Sequence, residues 1–268
     1  MTLEILICTI DDGICRVGQM LLEKSTGIGY VVSWQQTEKC SIKEIPEELR
    51  RDDVKIVTLR GKGLSRNRNN AIQAATADIC MIADDDIRYT PANINQVIET
   101  YKNHPDLDVA TFKYHSPSSN KFYPDHSFNL KDEVKNYYVT SFEITFKRES
   151  IQGKIKFNEL FGLGAPVLGA GEESVFIFDV LKAGLNCQFF PYVIAEHPGL
   201  TTTDRTASKS GVLMARGAYM SIRYPLAICI ARAIAISLKL RKKHSMSFMH
   251  ALRYTLKGIS YGRKHIKK

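Results

Sequence analysis

The stretch DICMIADDDIRYTP, residues 78–91, sets an unbroken apolar run, Ile79 to Ala83, directly against three aspartates. The run has the length and composition of a buried strand. Three adjacent carboxylates at its exit repel one another, and burying one without a partner is costly. Either a hard divalent cation compensates them, since such an ion takes oxygen ligands and shares its shell with substrate phosphates, or they form a solvated acidic turn. They are not needed as helix caps. Thr90 is a capping hydroxyl followed by Pro91 at the first helical position, which predicts a helix from there to about Asn103.

Outward from this point the chain alternates strand-like and helix-like segments. LEILICT (3–9), GIGYVVSW (27–34), DVKIVTL (53–59) and CQFFPYVIAEH (187–197) read as strands. Val17, Met20, Leu21 and Lys24 recur at helical spacing, and GLSRNRNNAIQAAT (63–76) and EESVFIFDVLKAG (172–184) read as helices, the last ended by Gly184. FGLGAPVLGAG (161–171) is a glycine-rich loop, and residues 107–147, rich in aromatic and β-branched positions, are expected to add antiparallel or irregular structure. Such alternation predicts an α/β protein with a mostly parallel sheet, whose ligands lie at the carboxyl ends of the strands.

The chain has 268 residues, 44% of them hydrophobic, enough for one large core or one core and an appendage. Its six cysteines show no C-x-x-C pair and no metal-finger spacing, so they are expected to be reduced thiols of a cytosolic protein. The opening residues MTLEILICTIDD lack a basic leader, so no signal peptide is expected. Charge is segregated. From Arg205 onward there are fifteen Lys or Arg and no acid, whereas residues 1–204 hold the other twenty-two and all twenty-eight acids, a formal −6 beside a net +9. The domain boundary is therefore placed between residues 204 and 205.

Four motifs now stand in order: ICTIDD (7–12) at the first strand end, GKGLSRNRNNAI (61–72), the Asp84–Asp86 cluster, and GAGEESVF (169–176). Their order and spacing resemble the family 2 glycosyltransferases, whose fold is GT-A, a Rossmann-like mixed sheet flanked by helices. The resemblance spans roughly residues 1–200. It departs from the family pattern where the usual Ala-Arg-Asn is Asn67-Arg68-Asn69, and where the late acidic pair is Glu172-Glu173.

Carried over by position, the resemblance implies Asp86 as metal ligand, Asp84 as a ribose or sugar contact that also borders the metal, and Asp85 as a further donor contact. Thr9 and Asp11 border the nucleobase, and Arg68, with Arg66 and Lys62 as rivals, faces the diphosphate. His197 is a possible third metal ligand or a satisfied structural histidine. The pair Glu172-Glu173 opens a helix, where anions are favoured for structural reasons alone. The resemblance instead implies that one of them, Glu173 by position, is the general base. The expected chemistry is an inverting transfer of sugar from a nucleotide donor, UDP being the commonest carrier, to a glycan or lipid-linked hydroxyl, with Mn²⁺ or Mg²⁺ as cofactor. A nucleotidyltransferase, and a non-catalytic membrane- or nucleic-acid-binding module, are the alternatives.

The basic tail reads as three helical pieces broken at Pro225. Lys209, Arg216 and Arg223 recur every seven residues, and Met249, Leu252, Leu256 and Ile259 form an apolar stripe. Each uncharged run is shorter than a bilayer span. The tail is expected to lie on an anionic membrane surface, placing the protein peripherally on the inner face of the cytoplasmic membrane. Packing on the catalytic body is the alternative, and nucleic acid is not an expected partner, since the tail carries few aromatics for stacking.

Overall fold

The computed structural model describes residues 1–132, 134–199, 209–244 and 246–266, without the side chains of residues 243 and 244. The expected boundary between residues 204 and 205 lies outside the described residues. The chain divides into two compact units. The first comprises Met1–Lys62, Arg66–Phe157 and Phe176–Leu200, and the second Gly63–Ser65, Asn158–Val175 and Thr201–Lys268.

The first unit is built on a mixed sheet. Its strands are β1 (Leu3–Ile10), β2 (Ile28–Gln36), β3 (Val54–Arg60), β4 (Ile79–Asp84), β5 (Val109–His115), β6 (Phe128–Asn129), β7 (Ile144–Lys147) and β8 (Cys187–Glu196), in the spatial order β3-β2-β1-β4-β7-β5-β8-β6. β1 runs parallel to both β2 and β4, and β3 is parallel to β2. β7 enters antiparallel between β4 and β5, while β5 and β8 are again parallel. Interior strands of a parallel sheet are covered on both faces, and β1 and β4 accordingly bury almost every side chain. Leu3, Ile5, Ile7, Val32, Met81 and Tyr101 lie in one continuous core. The register sets Cys8 beside Asp84, so β1 and β4 reach their carboxyl ends together.

Five helices accompany these strands in sequence: α1 (Ile14–Val17), α2 (Leu64–Ala74), α3 (Pro91–Asn103), α4 (Arg148–Ile151) and α5 (Glu172–Lys182). α2 and α5 each begin in the second unit and continue into the first. α3 starts where the cap predicts. Thr90 Oγ1 accepts from the Asn93 amide at 3.2 Å, and Asn93 Oδ1 accepts from the Thr90 amide at 2.8 Å. The helix expected through Lys24 is different: one turn of α-helix between two short 3₁₀ turns, stopping at Met20 because Leu21 is extended. Asp11, in the left-handed region (φ 48°), sets the segment off from β1, and the helical backbone runs on through Gly13 and Gly18 until Leu21.

The second unit holds α6 (Ser210–Arg223), α7 (Leu226–His244) and α8 (Phe248–His265). α6 and α8 cross at backbone contact. A Cβ at Gly217 would collide with the Thr255 carbonyl, one at Gly258 with the Met214 carbonyl, and one at Gly262 with Ser221 and Ala218. This crossing sorts the tail's side chains. The face of α8 that is buried is Ala251, Thr255, Gly258, Ile259 and Gly262, so Ile259 of the expected apolar stripe packs inward while Met249 and Leu256 are exposed. Arg216 is half-buried, so Lys209, Arg216 and Arg223 do not share one solvated face. Among the described residues no helix is long and apolar enough to cross a membrane.

Candidate functional site

The carboxyl ends of β1 and β4 gather most of the expected site residues. Asp84, Asp85 and Asp86 are contiguous in sequence, but each is held by a different set of groups. Asp84 Oδ1 accepts from Arg68 Nη2 at 3.3 Å, and its Oδ2 lies 3.4 Å from the Ser141 hydroxyl that donates to it. Asp85 is gripped on both oxygens, by the Thr9 hydroxyl at 2.5 Å and by Arg16 Nη2 at 2.7 Å. This grip needs Gly13, because a Cβ there would stand 2.5 Å from both Asp85 Oδ2 and Thr9 Oγ1. Like-charge repulsion is thus relieved within the chain for two of the three carboxylates.

Asp86 differs from its neighbours. Its side chain is 44% exposed and faces His197, whose Nε2 is 3.7 Å from Asp86 Oδ2. The two are brought together by backbone pairing: Arg88 and Glu196 exchange hydrogen bonds of 2.9 Å in both directions. The ring of His197 is itself fixed. It is buried, it stacks on Phe142 at 5.4 Å between centroids, and its Nδ1 lies 2.6 Å from the Gly199 carbonyl. The Gly199 amide also meets Nδ1, at 3.2 Å, so the backbone holds that side of the ring and leaves Nε2 facing a carboxylate. A proton on Nε2 or a cation between the two groups suits this pairing. Desolvation pushes the Asp86 carboxyl above its usual range, while His197 pulls it down and Asp84 and Asp85 push it up further.

This observation tests whether the site suits a divalent ion. One carboxylate and one oriented imidazole nitrogen form a two-donor set, and Asp84 is committed to Arg68 and Ser141. Among the described residues no cluster of three or more His, Cys, Asp and Glu converges to hold a metal. A pair of protein donors fits an ion that completes its shell with water and phosphate oxygens rather than one caged by protein. Asn67 points the same way. It donates Nδ2 to the Thr9 carbonyl at 3.0 Å, while its buried Oδ1 has no hydrogen-bond partner among the described residues.

Two sequence expectations for this unit need revision. Arg68 is not displayed to a diphosphate: it is 1% exposed, turned to Asp84, and its guanidinium lies 5.3 Å from the Phe157 ring centroid. Its position in the middle of α2, on the face toward the sheet, buries it. Asp11 is also engaged, its two oxygens accepting from the Thr37 amide at 2.7 Å and the Thr37 hydroxyl at 2.8 Å. Asp12 clasps Ser41 in the same way. Both acids tie the β1 exit to the segment after β2. Arg16, Ser141 and Phe142 were not foreseen; the visible signal was only an arginine close behind ICTIDD, and nothing local marks the other two.

Glu172 and Glu173 belong to the second unit. Glu172 is buried against the glycine-rich loop, where a Cβ at Gly162 (φ 103°) would stand 3.1 Å from its carboxyl carbon. The Ser65 hydroxyl donates to the Phe161 carbonyl of the same loop at 2.7 Å. Glu173 is half-buried.

Comparison with known proteins fits this architecture. Residues 39–164 match the profile of Glycosyl transferase family 2. Over that span the chain is similar to the family 2 glycosyltransferases. The matched span includes Arg68 and all three aspartates, while Thr9, Glu172, Glu173 and His197 lie outside it. The chain is also similar in fold to three crystal structures of S. aureus TarS 1-349. One has TM-score 0.58 and 15% identity, covering 91% of this chain and 73% of that one. The UDP complex has TM-score 0.57 and 13% identity, covering 98% and 89%. The UDP-GlcNAc complex has TM-score 0.57 and 14% identity, covering 97% and 82%. At these identities the likeness is one of fold, and it extends the GT-A assignment over the whole mixed sheet. No curated protein sequence matches the chain.

Proposed function

We propose that the protein transfers a sugar from a nucleotide-sugar donor, with UDP as the carrier, to a hydroxyl of a glycan or lipid-linked acceptor, with inversion at the anomeric carbon. The observation that carries this reading is the Asp86–His197 pair: an exposed carboxylate and an oriented imidazole nitrogen, 3.7 Å apart, at the carboxyl end of a parallel sheet. Ligands of open α/β sheets bind there. Structures of TarS in complex with UDP and with UDP-GlcNAc support a nucleotide-sugar donor on this fold.

Asp86 and His197 would hold a Mn²⁺ or Mg²⁺ ion. Such an ion, when bound, neutralises charge that develops on a departing diphosphate. The other residues have roles of their own. Thr9 and Arg16 fix Asp85, so that its neighbours are displayed at a constant spacing. Arg68 and Ser141 orient Asp84 toward the donor's ribose or sugar. In the second unit Glu173, the more accessible of the acidic pair, takes the acceptor's hydroxyl proton while the new C–O bond forms and the bond to the diphosphate breaks. A single displacement of this kind inverts the anomeric centre and needs no covalent sugar–enzyme intermediate.

Thermal unfolding with UDP, with and without Mn²⁺, tests the donor site. Ligand at a hundred times its dissociation constant stabilises by about 2.7 kcal/mol, and Asp86→Ala is expected to abolish the Mn²⁺-dependent part. Absence of a shift with every nucleoside diphosphate, in folded protein, overturns the proposal.

A further inference from the structure

Of the three tail helices, α7 buries its apolar residues on one side only. Cys229, Ala233, Ser237 and Leu240 follow one line along this helix and are buried. Ala227, Ala231, Ile234 and Leu238, spaced four, three and four residues apart, follow the opposite line and are all exposed. Ile228 and Ile230 widen this ridge, and the side chains of Ile234 and Leu238 are 42% and 52% exposed. From Leu226 to Leu238 the single charged residue is Arg232. Singly exposed apolar side chains are ordinary, but a continuous ridge over three helical turns marks an interaction surface.

The charges around the ridge identify its partner. Arg232 lies on its flank with its guanidinium 4.5 Å from the Tyr224 ring centroid, and Arg223 approaches the same ring at 5.5 Å. Lys239, Arg241 and Lys242 follow at the other end, all exposed. No acid occurs from Arg205 onward. A second copy of this face would set those cations against their own duplicates, with no carboxylate to offset them. A nucleic acid would meet the cations but leave the ridge in water. Only a bilayer surface offers both an apolar layer for Ile230, Ile234 and Leu238 and anionic headgroups for long basic side chains that reach up from it.

We infer that α7 lies in the plane of an anionic lipid bilayer, its Ala227–Leu238 ridge inserted at the acyl boundary and Arg232, Lys239, Arg241 and Lys242 against headgroup phosphates. This inference is independent of the transfer reaction, because its readout is lipid binding alone.

Co-sedimentation of the full chain with mixed phosphatidylglycerol–phosphatidylcholine vesicles, and with phosphatidylcholine alone, tests it. Wild type is expected in the pellet with the anionic vesicles only. Ile234→Asp/Leu238→Asp should weaken binding about tenfold or more, since burial of each aliphatic side chain is lost. Both positions are surface ones, and an unchanged melting midpoint verifies the fold of this variant. Arg232→Gln/Lys239→Gln should weaken binding by about fivefold per cation removed, and provides a second route should the first variant misfold. Wild type that ignores anionic vesicles, or a folded Ile234→Asp/Leu238→Asp variant that binds them as wild type does, overturns the inference. So does a wild-type dimer that this variant splits without any vesicle binding, which would assign the ridge to a second copy.

Discussion

Asp84, Asp85 and Asp86 look equivalent in the sequence, and the differences between them arise from residues far away in the chain. Asp85 depends on Thr9 and Arg16, Asp84 on Arg68 and Ser141, and Asp86 on His197. Arg68 bears the largest structural share, since a guanidinium that is 1% exposed has been removed from water and is offset by Asp84, itself 31% exposed. The substitution Arg68→Met keeps a long, flexible side chain but removes the charge and leaves Asp84 beside an apolar group. Loss of one partner of a buried pair costs about 3–5 kcal/mol, and the partial exposure of Asp84 puts this one near the lower end, about 3 kcal/mol. Urea unfolding at neutral pH, with an unchanged slope, reads the cost directly. A loss below about 1 kcal/mol would show that Arg68 is a spectator in the fold. Sequence reasoning found the aspartates and the arginine but aimed the arginine at a ligand, because helical spacing does not reveal which face of α2 meets the sheet.

At the level of elements, what could be read locally agrees with the structure and what depends on distant pairing does not announce itself. The cap of α3 is contained within four residues, Thr90 to Asn93, and the strands β1 and β4 are largely contiguous apolar runs. The left-handed turn after β1 was invisible because its residue, Asp11, clasps Thr37, twenty-six residues on. The turn Thr140–Glu143 is a sharper case. It places Ser141 on Asp84 and Phe142 under His197, and it is fixed by Glu143, fully buried, receiving Lys121 Nζ at 2.6 Å and the Tyr123 hydroxyl. Burial pushes the Glu143 carboxyl above its usual range although Lys121 pulls it down. Removing the cation alone, by Lys121→Met, leaves a buried carboxylate and should destabilise by about 3–5 kcal/mol. The double variant Lys121→Met/Glu143→Gln removes both charges and should recover a large part of that loss, a coupling that a double-mutant cycle measures. Additive losses would show that the pair does not hold the turn. No local pattern reveals this pair, since twenty-two residues separate its members.

For the whole molecule, the cysteines report how completely the two units enclose their cores. Cys8, Cys80, Cys187 and Cys229 are buried, Cys40 is half-buried and Cys15 is exposed, all as free thiols. Burial is the leading cause that pushes Cys8 and Cys187 up from an ordinary 9.0 to about 12. The sign of the consequence follows from proton counting. Between about pH 9 and about pH 12 the unfolded chain has released these thiol protons while the folded chain retains them, so the unfolded state binds fewer protons and stability falls as pH rises. Below pH 9 both states are protonated and the thiols contribute no slope. Each group contributes about 1.4 kcal/mol per pH unit in that window. Cys8→Ala removes one such group, so its unfolding free energy should decline less steeply than wild type between about pH 9 and pH 11, by about 1.4 kcal/mol per unit. Parallel urea titrations of the two proteins give the difference with other alkaline titrations cancelled. Identical slopes would mean that Cys8 ionises as readily in the folded chain as in the unfolded one, and that water reaches the strand end beneath Asp84.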